Sequence, residues 1–432
     1  MFVKKRDGRK QKFNKEKIIT AIESAFESVD GEVSEQAVKK AKEIANYIES
    51  LNKYMDVEEI QDIVEDKLMK STRRDVAKHY ILYREERTKE RERNTQFMKS
   101  IDEKIHAKNV KNQNANVDEK SFGGRVGESS DELMRKYALD YLLSDKAKYN
   151  HLNNRIYIHD LNSYAVGNHN CLTVPIDDLL KNGFNTRQLD VRPANSIETA
   201  MQLVAVVFQI QSLMQFGGVS ASHIDYSMVP YVRKSFVKHI ENGLIYIEHK
   251  SEYKTKRFKE WLSHDPNHLD GLIHFDDIEF KNLHPEVWEY AMDMTTKETY
   301  QAVEGMFHNL NTLQSRSGNQ LPFSSICYGT CTLEEGRLVT KAILDNSIKG
   351  GGKLHKTYIF PCQIFKVAKG INKEPNTPNY DLYKLALKST AQRLYPNYAN
   401  VDWSTNQNGN DGSIDAEMST MGKVQISPFK TL

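Results

Sequence analysis

Cysteine is scarce here: Cys171, Cys327, Cys331 and Cys362 are the four in 432 residues. That is too few for a disulfide scaffold of this length, and it points to a reducing compartment. Cys327 and Cys331 are spaced CxxxC with no second pair nearby, so they read as structural and no metal ligands are expected. An excess of one charge is also missing. The 60 Lys and Arg residues face 58 Asp and Glu, a net charge of +2. No basic stripe stands out, which argues against nucleic acid or an acidic membrane as partner. Long apolar runs are lacking too. The most apolar stretch, Met201 to Met214, is short for a bilayer and carries Gln202, Gln209 and Gln211, so a buried helix is expected. Met1 to Lys5 runs into charge with no apolar segment behind it, so no signal peptide is expected and the location reads as cytoplasmic. No internal repeat at a period of about 20–50 residues is present.

What is present is an ordinary globular balance, 39% hydrophobic and 27% charged residues. The length calls for two or three domains. Residues 1–93 read as a small helical unit. Val3 to Arg9 suggests a short strand entering a turn at Asp7-Gly8, with Phe13 closing a return strand. Asn14 is placed to cap a helix with Lys17 in its first turn. Ile18, Ile22, Ala25 and Phe26 recur at helical spacing, as do Val38, Ala41, Ile44, Ala45, Ile48 and Leu51, and then Val57, Ile60, Ile63, Val64 and Leu68. A fourth helix is expected from Ser71-Thr72, with Val76, Tyr80 and Tyr83 on one face, running out into alternating charges from Arg84 to Arg93. Residues 94–130 read as a linker, with Lys108 to Ser130 polar and loop-like.

From residue 131 to 432 helical segments alternate with short strand-like runs: Arg155 to His159, Cys171 to Val174, Gln320 to Cys327 and Tyr358 to Phe365. That alternation indicates an α/β class with parallel strands, as a barrel or a doubly wound sheet. Lys349-Gly350-Gly351-Gly352-Lys353 has the look of a phosphate cradle. Its spacing departs from the P-loop pattern, because Leu354 follows the lysine, so a flexible loop is expected. Gly217 and Gly218 allow a turn or a close backbone approach.

Two groups of residues carry a resemblance. Val3, Lys5, Arg6, Asp7 and Gly8, then Phe13, Lys17, Ile18, Ala21 and Ile22, then Tyr80, Tyr83, Arg84 and Arg87, resemble the ATP-cone domain. Lysines beside a helix start suit a triphosphate, which needs cations and free N–H groups together. The resemblance implies that Val3, Lys5, Arg6, Asn14, Lys17 and Ile18 bind ATP or dATP as allosteric effectors. Further on come three segments: Tyr157-Ile158-His159-Asp160-Leu161 with Asn170-Cys171-Leu172; Gln215-Phe216-Gly217-Gly218-Val219-Ser220 with Pro230-Tyr231-Val232; and Leu321 to Thr330 with Phe360 to Lys366. In this order they are similar to the anaerobic (class III) ribonucleoside-triphosphate reductases, a glycyl-radical family, from about residue 94 to Gly422.

The resemblance implies a mainly helical cone followed by an incomplete ten-stranded α/β barrel, acting as an oxidoreductase on ribonucleoside triphosphates. A thiyl radical removes the 3′ hydrogen in that family, and a second cysteine on the other face of the ribose serves the reduction. Cysteine suits both tasks because its sulfur is readily oxidised. Cys171 matches that second cysteine. His159, Ser324 and Ser325 are candidates for substrate contacts. A radical-SAM activating enzyme, formate or a thioredoxin-like reductant and a homodimer are implied as partners.

The likeness stops at one position. Ser419-Thr420-Met421-Gly422 precedes the family's thiyl cysteine, and here Lys423 stands in that place. A lysine cannot be a hydrogen-abstracting radical centre. Lys423 to Leu432 leaves the family pattern, so the zinc site and glycyl radical of the family are expected outside this stretch. Two readings stand: an N-terminal portion completed by a separately encoded C-terminal fragment, or a degenerate copy acting as a catalytically dead nucleotide-binding regulator.

Overall fold

The computed structural model describes residues 2–5, 9–106, 121–167, 170–215, 217–264, 270–316, 319–402, 414, 417 and 419, without the side chains of residues 91–96 and 253. The chain divides into two compact units, Met1–Glu103 and Lys104–Leu432.

In the first unit, β1 (Phe2–Lys4) pairs antiparallel with β2 (Lys10–Lys12) and parallel with β3 (Met55–Asp56). Helix α1 (Glu16–Asp30) follows the hairpin and ends at Gly31, whose φ of 79° is left-handed and suits glycine. Asn14 is not the cap itself; Lys15 holds that position, and the Asn14 Oδ1 accepts from the Glu16 N–H at 3.0 Å. Helix α2 (Glu35–Ser50) is capped by Ser34, and α3 (Val57–Met69) by a reciprocal Asp56–Glu59 box. Helix α4 (Arg74–Ile105) begins later than the serine and threonine suggest. The helical spacing read from the sequence becomes a core: Ile22, Ala41, Ile44, Ala45, Ile48, Val64, Leu68 and Val76 are at most 1% exposed. Tyr80 joins it, whereas Tyr83 is 56% exposed and turns away. Arg84 ties α4 to α3 by reaching Glu58, Asp62 and Glu65 at 2.6–2.8 Å.

The second unit opens with helices. The stretch before residue 131, polar and rich in glycine and serine, is helical from Phe122: α5 (Phe122–Tyr137) is capped by Ser121 and buries Gly124, Gly127 and Glu128. The small residues there serve packing rather than a loop, since glycine lets another element approach closely. A π-turn over Ala138–Leu142, α6 (Asp145–Leu152) and α7 (Leu161–Tyr164) follow. Arg155 to His159, expected as a strand, is a turn between α6 and α7.

Five strands then build one sheet. They are β4 (Leu172–Thr173), β7 (Val219–Ala221), β8 (Ser324–Tyr328), β9 (Cys362–Val367) and β10 (Asn397–Asn400), in the order β10-β9-β8-β7-β4, every pair parallel. Between β4 and β7 lie α8 (Ile176–Asn182), a small antiparallel pair β5 (Phe184–Asn185) and β6 (Asp190–Val191), and α9 (Ile197–Met214). Between β7 and β8 lie α10 (Ile224–Ser227), α11 (Val229–Tyr246), α12 (Glu252–Leu262), α13 (Ile278–Leu283) and α14 (Pro285–Thr312); α15 (Glu334–Lys349) and α16 (Tyr380–Arg393) make the later crossovers. The α/β class and parallel sheet are as expected, and the described strands form an open five-stranded sheet. Helix α9 starts before the apolar run and has the length and composition to cross a membrane; Ile197, Ala200, Met201, Val204, Ala205 and Phe208, all 0% exposed, place it in the core instead.

Side chains along a strand alternate between the two faces of a sheet. Val219, Ala221, Ile326, Tyr328 and Phe365 face one way and pack with residues of α9, α14 and α15 in the large core. On this side Tyr328 donates to Gln363 at 2.8 Å, and Gln363 reaches Ser347 of α15 at 2.7 Å. The opposite face carries Thr173, Ser220, Ser325, Cys327, Ile364 and Lys366; Cys327, Ile364 and Ala399 form a separate apolar cluster there.

Phe307 of α14 is fully buried and meets the Tyr358 ring edge-on at 5.0 Å between centroids. Phe307→Ala is expected to destabilise the second unit by about 3–5 kcal/mol. Urea unfolding followed by circular dichroism checks this. A separate transition from the first unit, with its own core, should stay in place.

Candidate functional site

Two places on the molecule bring chemistry-bearing residues together. The first is a pocket of about 160 Å³ in the small unit, between the β1–β2 hairpin, the start of α1 and α3. Val3, Lys5, Asn14, Lys17 and Ile18 all line it. Arg6 lies outside the described residues, as does the Asp7-Gly8 turn. The Lys5 N–H donates to the Arg9 carbonyl at 2.8 Å and closes the hairpin loop. Helix α1 begins at Glu16, so Lys17 sits in its first turn, where N–H groups lack intrahelical partners. Lys12 adds a third ammonium, and no carboxylate lines the pocket among the described residues. Its inner wall is apolar, from Val57, Ile60 and Val64 of α3. Gln61 and Tyr80 complete it; burial and the charge of Glu65 push the Tyr80 phenol up to about 12, so it stays a neutral donor at working pH. The helical period placed Val57, Ile60 and Val64 in a core and gave no sign that they also wall a cavity.

The second place is the polar face of the sheet. Cys171 stands just before β4, half-buried, and its sulfur accepts the Gly218 N–H at 3.3 Å. Glycine is required at both neighbouring positions. A Cβ on Gly217 would sit 1.9 Å from the Asn170 carbonyl oxygen, and one on Gly218 would sit 2.9 Å from the Phe323 ring. Close approach, rather than a positive φ, is therefore what these glycines supply. Gln215, 4% exposed, clamps the turn by donating to the Gly218 carbonyl at 2.5 Å.

The strand register carries a hydroxyl row away from this corner. Thr173 is level with Ser220, Ser220 with Ser325, and Ser325 with Cys362. Thr173 and Ser220 hydroxyls lie 3.0 Å apart, and the Cys362 thiol is 3.5 Å from the Tyr395 hydroxyl. Burial pushes the Cys362 thiol up. Ser324 and Ser325 are both 0% exposed, and neither hydroxyl has a partner among the described residues. Being consecutive, they point to opposite faces. Only Ser325 shares the row with Ser220; Ser324 turns toward the helices and cannot meet the same ligand. His159 is not on the sheet either. It sits in the turn before α7, its side chain 60% exposed and paired with the Asp160 carboxylate.

Two features were missed from the sequence. Arg316, in the bridge it forms with Gln320, is buried enough to lower its pKa, while the charges of Asp131 and Cys171 act to raise it. Asp131 is itself pushed up by burial. At the far end of β8, the fully buried Asp225 accepts the Gly329 and Cys331 N–H groups at 2.8 and 3.1 Å. Burial raises its pKa against those two hydrogen bonds. Gly329, with φ +119°, makes that turn possible. The glycine stretch Gly350 to Gly352 is a tight turn rather than a phosphate cradle: Gly351 bridges Lys356, and a Cβ on Gly350 would sit 2.6 Å from the His355 carbonyl oxygen. Among the described residues, no group of three or more His, Cys, Asp or Glu side chains is placed to hold a metal. Residues Thr420 to Lys423, where the family likeness stops, lie outside the described residues.

Comparison with known proteins gives two family matches: the anaerobic ribonucleoside-triphosphate reductase over residues 113–422, and the ATP cone domain over residues 1–89. The chain is 32% identical to the anaerobic ribonucleoside-triphosphate reductase of Haemophilus influenzae, over 92% of this chain and 52% of that protein. It is 30% identical to that of Escherichia coli, over 93% of this chain and 51% of that protein. With the enzyme of Enterobacteria phage T4 it shares 30% identity over 69% of this chain and 44% of that protein. The chain thus spans about half the length of the curated relatives it matches. A solved anaerobic ribonucleotide reductase aligns with a TM-score of 0.46 at 13% identity, over 72% of this chain and 45% of that one, too loosely to add to the assignment.

The Gly217 contact generates a test. Gly217→Ala forces the Asn170 carbonyl away, so the loop holding Cys171 must shift. Alkylation of Cys171, followed by mass spectrometry, is expected to run several-fold faster than in the parent, with a lower melting temperature. Unchanged rate and melting would contradict the close approach.

Proposed function

Because the chain belongs to the anaerobic ribonucleoside-triphosphate reductase family, an oxidoreductase family, and carries an ATP cone domain at residues 1–89, we propose that it holds the nucleotide sensor and part of the reduction site of such an enzyme. The observation that carries the sensor is the pocket itself, lined by three lysines and by apolar side chains, with no carboxylate among its described lining. Lys5 and Lys17 take the phosphates of ATP or dATP as effector. The base lies against Val3, Ile18 and the α3 wall, and Asn14 and Tyr80 supply neutral polar contacts. Arg6 belongs to the same set by resemblance.

On the sheet, the substrate is a ribonucleoside triphosphate, placed near the strand ends as ligands are in parallel α/β sheets. Ser325 is the hydroxyl assigned to it, because it is buried, unpartnered and on the polar face. Cys171 supplies a reducing thiol, held by the Gly218 N–H. The family reaction exchanges a ribose 2′-hydroxyl for hydrogen by radical chemistry, giving deoxyribonucleoside triphosphates for DNA synthesis. A radical-SAM activating enzyme, formate or a thioredoxin-like reductant, a separately encoded C-terminal fragment and a second copy in a dimer are the partners this reading implies, in the cytoplasm. No residue described here is assigned to zinc or to the glycyl radical. A second reading, a nucleotide-binding regulator without chemistry, is favoured by one observation: Lys423 stands at the thiyl position.

Calorimetry tests the sensor. ATP and dATP should bind, and Lys5→Ala or Lys17→Ala should each weaken binding by about 10- to 150-fold, the value of one charge-assisted hydrogen bond of about 1.5–3 kcal/mol. Absence of binding at millimolar nucleotide contradicts the assignment. Turnover separates the two readings of the sheet. With Lys423 in place, this chain should form no deoxyribonucleotide by itself, even with an activating enzyme and reductant; product from the chain alone would overturn the role given to that position.

A further inference from the structure

The polar face holds one buried ion pair that substrate binding does not require. Lys366 of β9 is 1% exposed, and its Nζ lies 2.9 Å from the Glu417 Oε2. The Thr330 hydroxyl donates to the same oxygen at 3.2 Å. Two residues along the chain, the Ser419 hydroxyl lies 3.3 Å from the Cys327 sulfur of β8. Two points of one segment are thus fixed to two adjacent strands. Burying a lysine and a carboxylate costs several kcal/mol each before pairing, and such pairs often add nothing over well-packed apolar side chains. What a charge pair does supply is register: a glutamate finds one buried ammonium, and a slip by one residue leaves both charges unpaired.

We propose that Lys366 is a positioning residue, which with Thr330 and Cys327 docks Glu417 and Ser419 on the polar face and so fixes the register of these two residues against β8 and β9. The consequence for catalysis rests on the reading of the sheet's polar face as the reaction site; the dock itself does not. Lys366 touches no reacting group in this account. It acts through Glu417.

A disulfide reports the register directly. In Ser419→Cys, the new thiol lies beside Cys327. Oxidised glutathione takes two electrons and two protons from the two thiols and becomes two reduced glutathione molecules, leaving one S–S bond between positions 327 and 419. Equilibration in mixed glutathione buffers, with the linked peptide identified by mass spectrometry, gives the potential of that bond. The bond is expected to form in the Ser419→Cys protein. Adding Lys366→Met should cost at least tenfold in its formation constant, about 30 mV for a two-electron couple. Adding Lys366→Met with Glu417→Leu removes both charges, keeps the melting temperature near that of the parent and should show the same loss. A bond that forms as readily in the double background as in the parent, or no bond in Ser419→Cys itself, overturns the proposal. Nucleotide binding is not part of this readout, so failure of the substrate assignment leaves it unaffected.

Discussion

Consecutive side chains of a β-strand must leave on opposite sides, and in a parallel sheet the register carries that choice from strand to strand. The large unit depends on this constraint. One face of the five strands takes Val219, Ile326, Tyr328 and Phe365 into the apolar core. The other is left with Thr173, Ser220, Ser325, Cys327 and Lys366, all but Thr173 buried. Thr173 and Ser220 pair with each other, Lys366 pairs with Glu417, and Ser325 is left with an open hydroxyl. Unpaired buried polar groups are costly, and the proposed substrate contact rests on that hydroxyl, which has no partner among the described residues. Cys171 reaches the same corner only because Gly217 and Gly218 have no side chains to hold the Asn170 loop away.

The small unit follows a different logic. Its helices bury one apolar stripe each, and the hairpin laid across them leaves a cavity walled by the same stripe. Lysines of the hairpin and of the α1 start, Lys5, Lys12 and Lys17, line one pocket together with the aliphatic side chains of α3. Arg84 holds α3 against α4 through three carboxylates, which keeps the apolar wall in place.

Much of this was legible in the sequence, for stated reasons. The four helices of the small unit announce themselves through a 3.6-residue period, and the parallel class through strands spaced by long helices. The motif around Ser324-Ser325 marked a strand that the sheet contains, but the face each serine takes depends on register, and the pattern alone left that open. Arg155 to His159 resembled a strand because its residues are β-formers; with no neighbour to pair with, it is a turn. Helix α5 was hidden behind glycine and serine, which normally mark loops. Other features are non-local. Lys366 and Glu417 are 51 residues apart, and Gly217 meets Asn170 across a crossover, so no local pattern could pair them.

The assignment of the polar face is open to one decisive comparison. Equilibrium binding of CTP is measured on Ser325→Ala and Ser324→Ala, with saturating ATP present to occupy the small unit. The two variants remove the same atom from neighbouring buried positions, so they differ mainly in the face they alter. The account predicts that CTP binds, that Ser325→Ala weakens it several-fold and that Ser324→Ala leaves it unchanged. Equal effects, or a loss confined to Ser324→Ala, would contradict it.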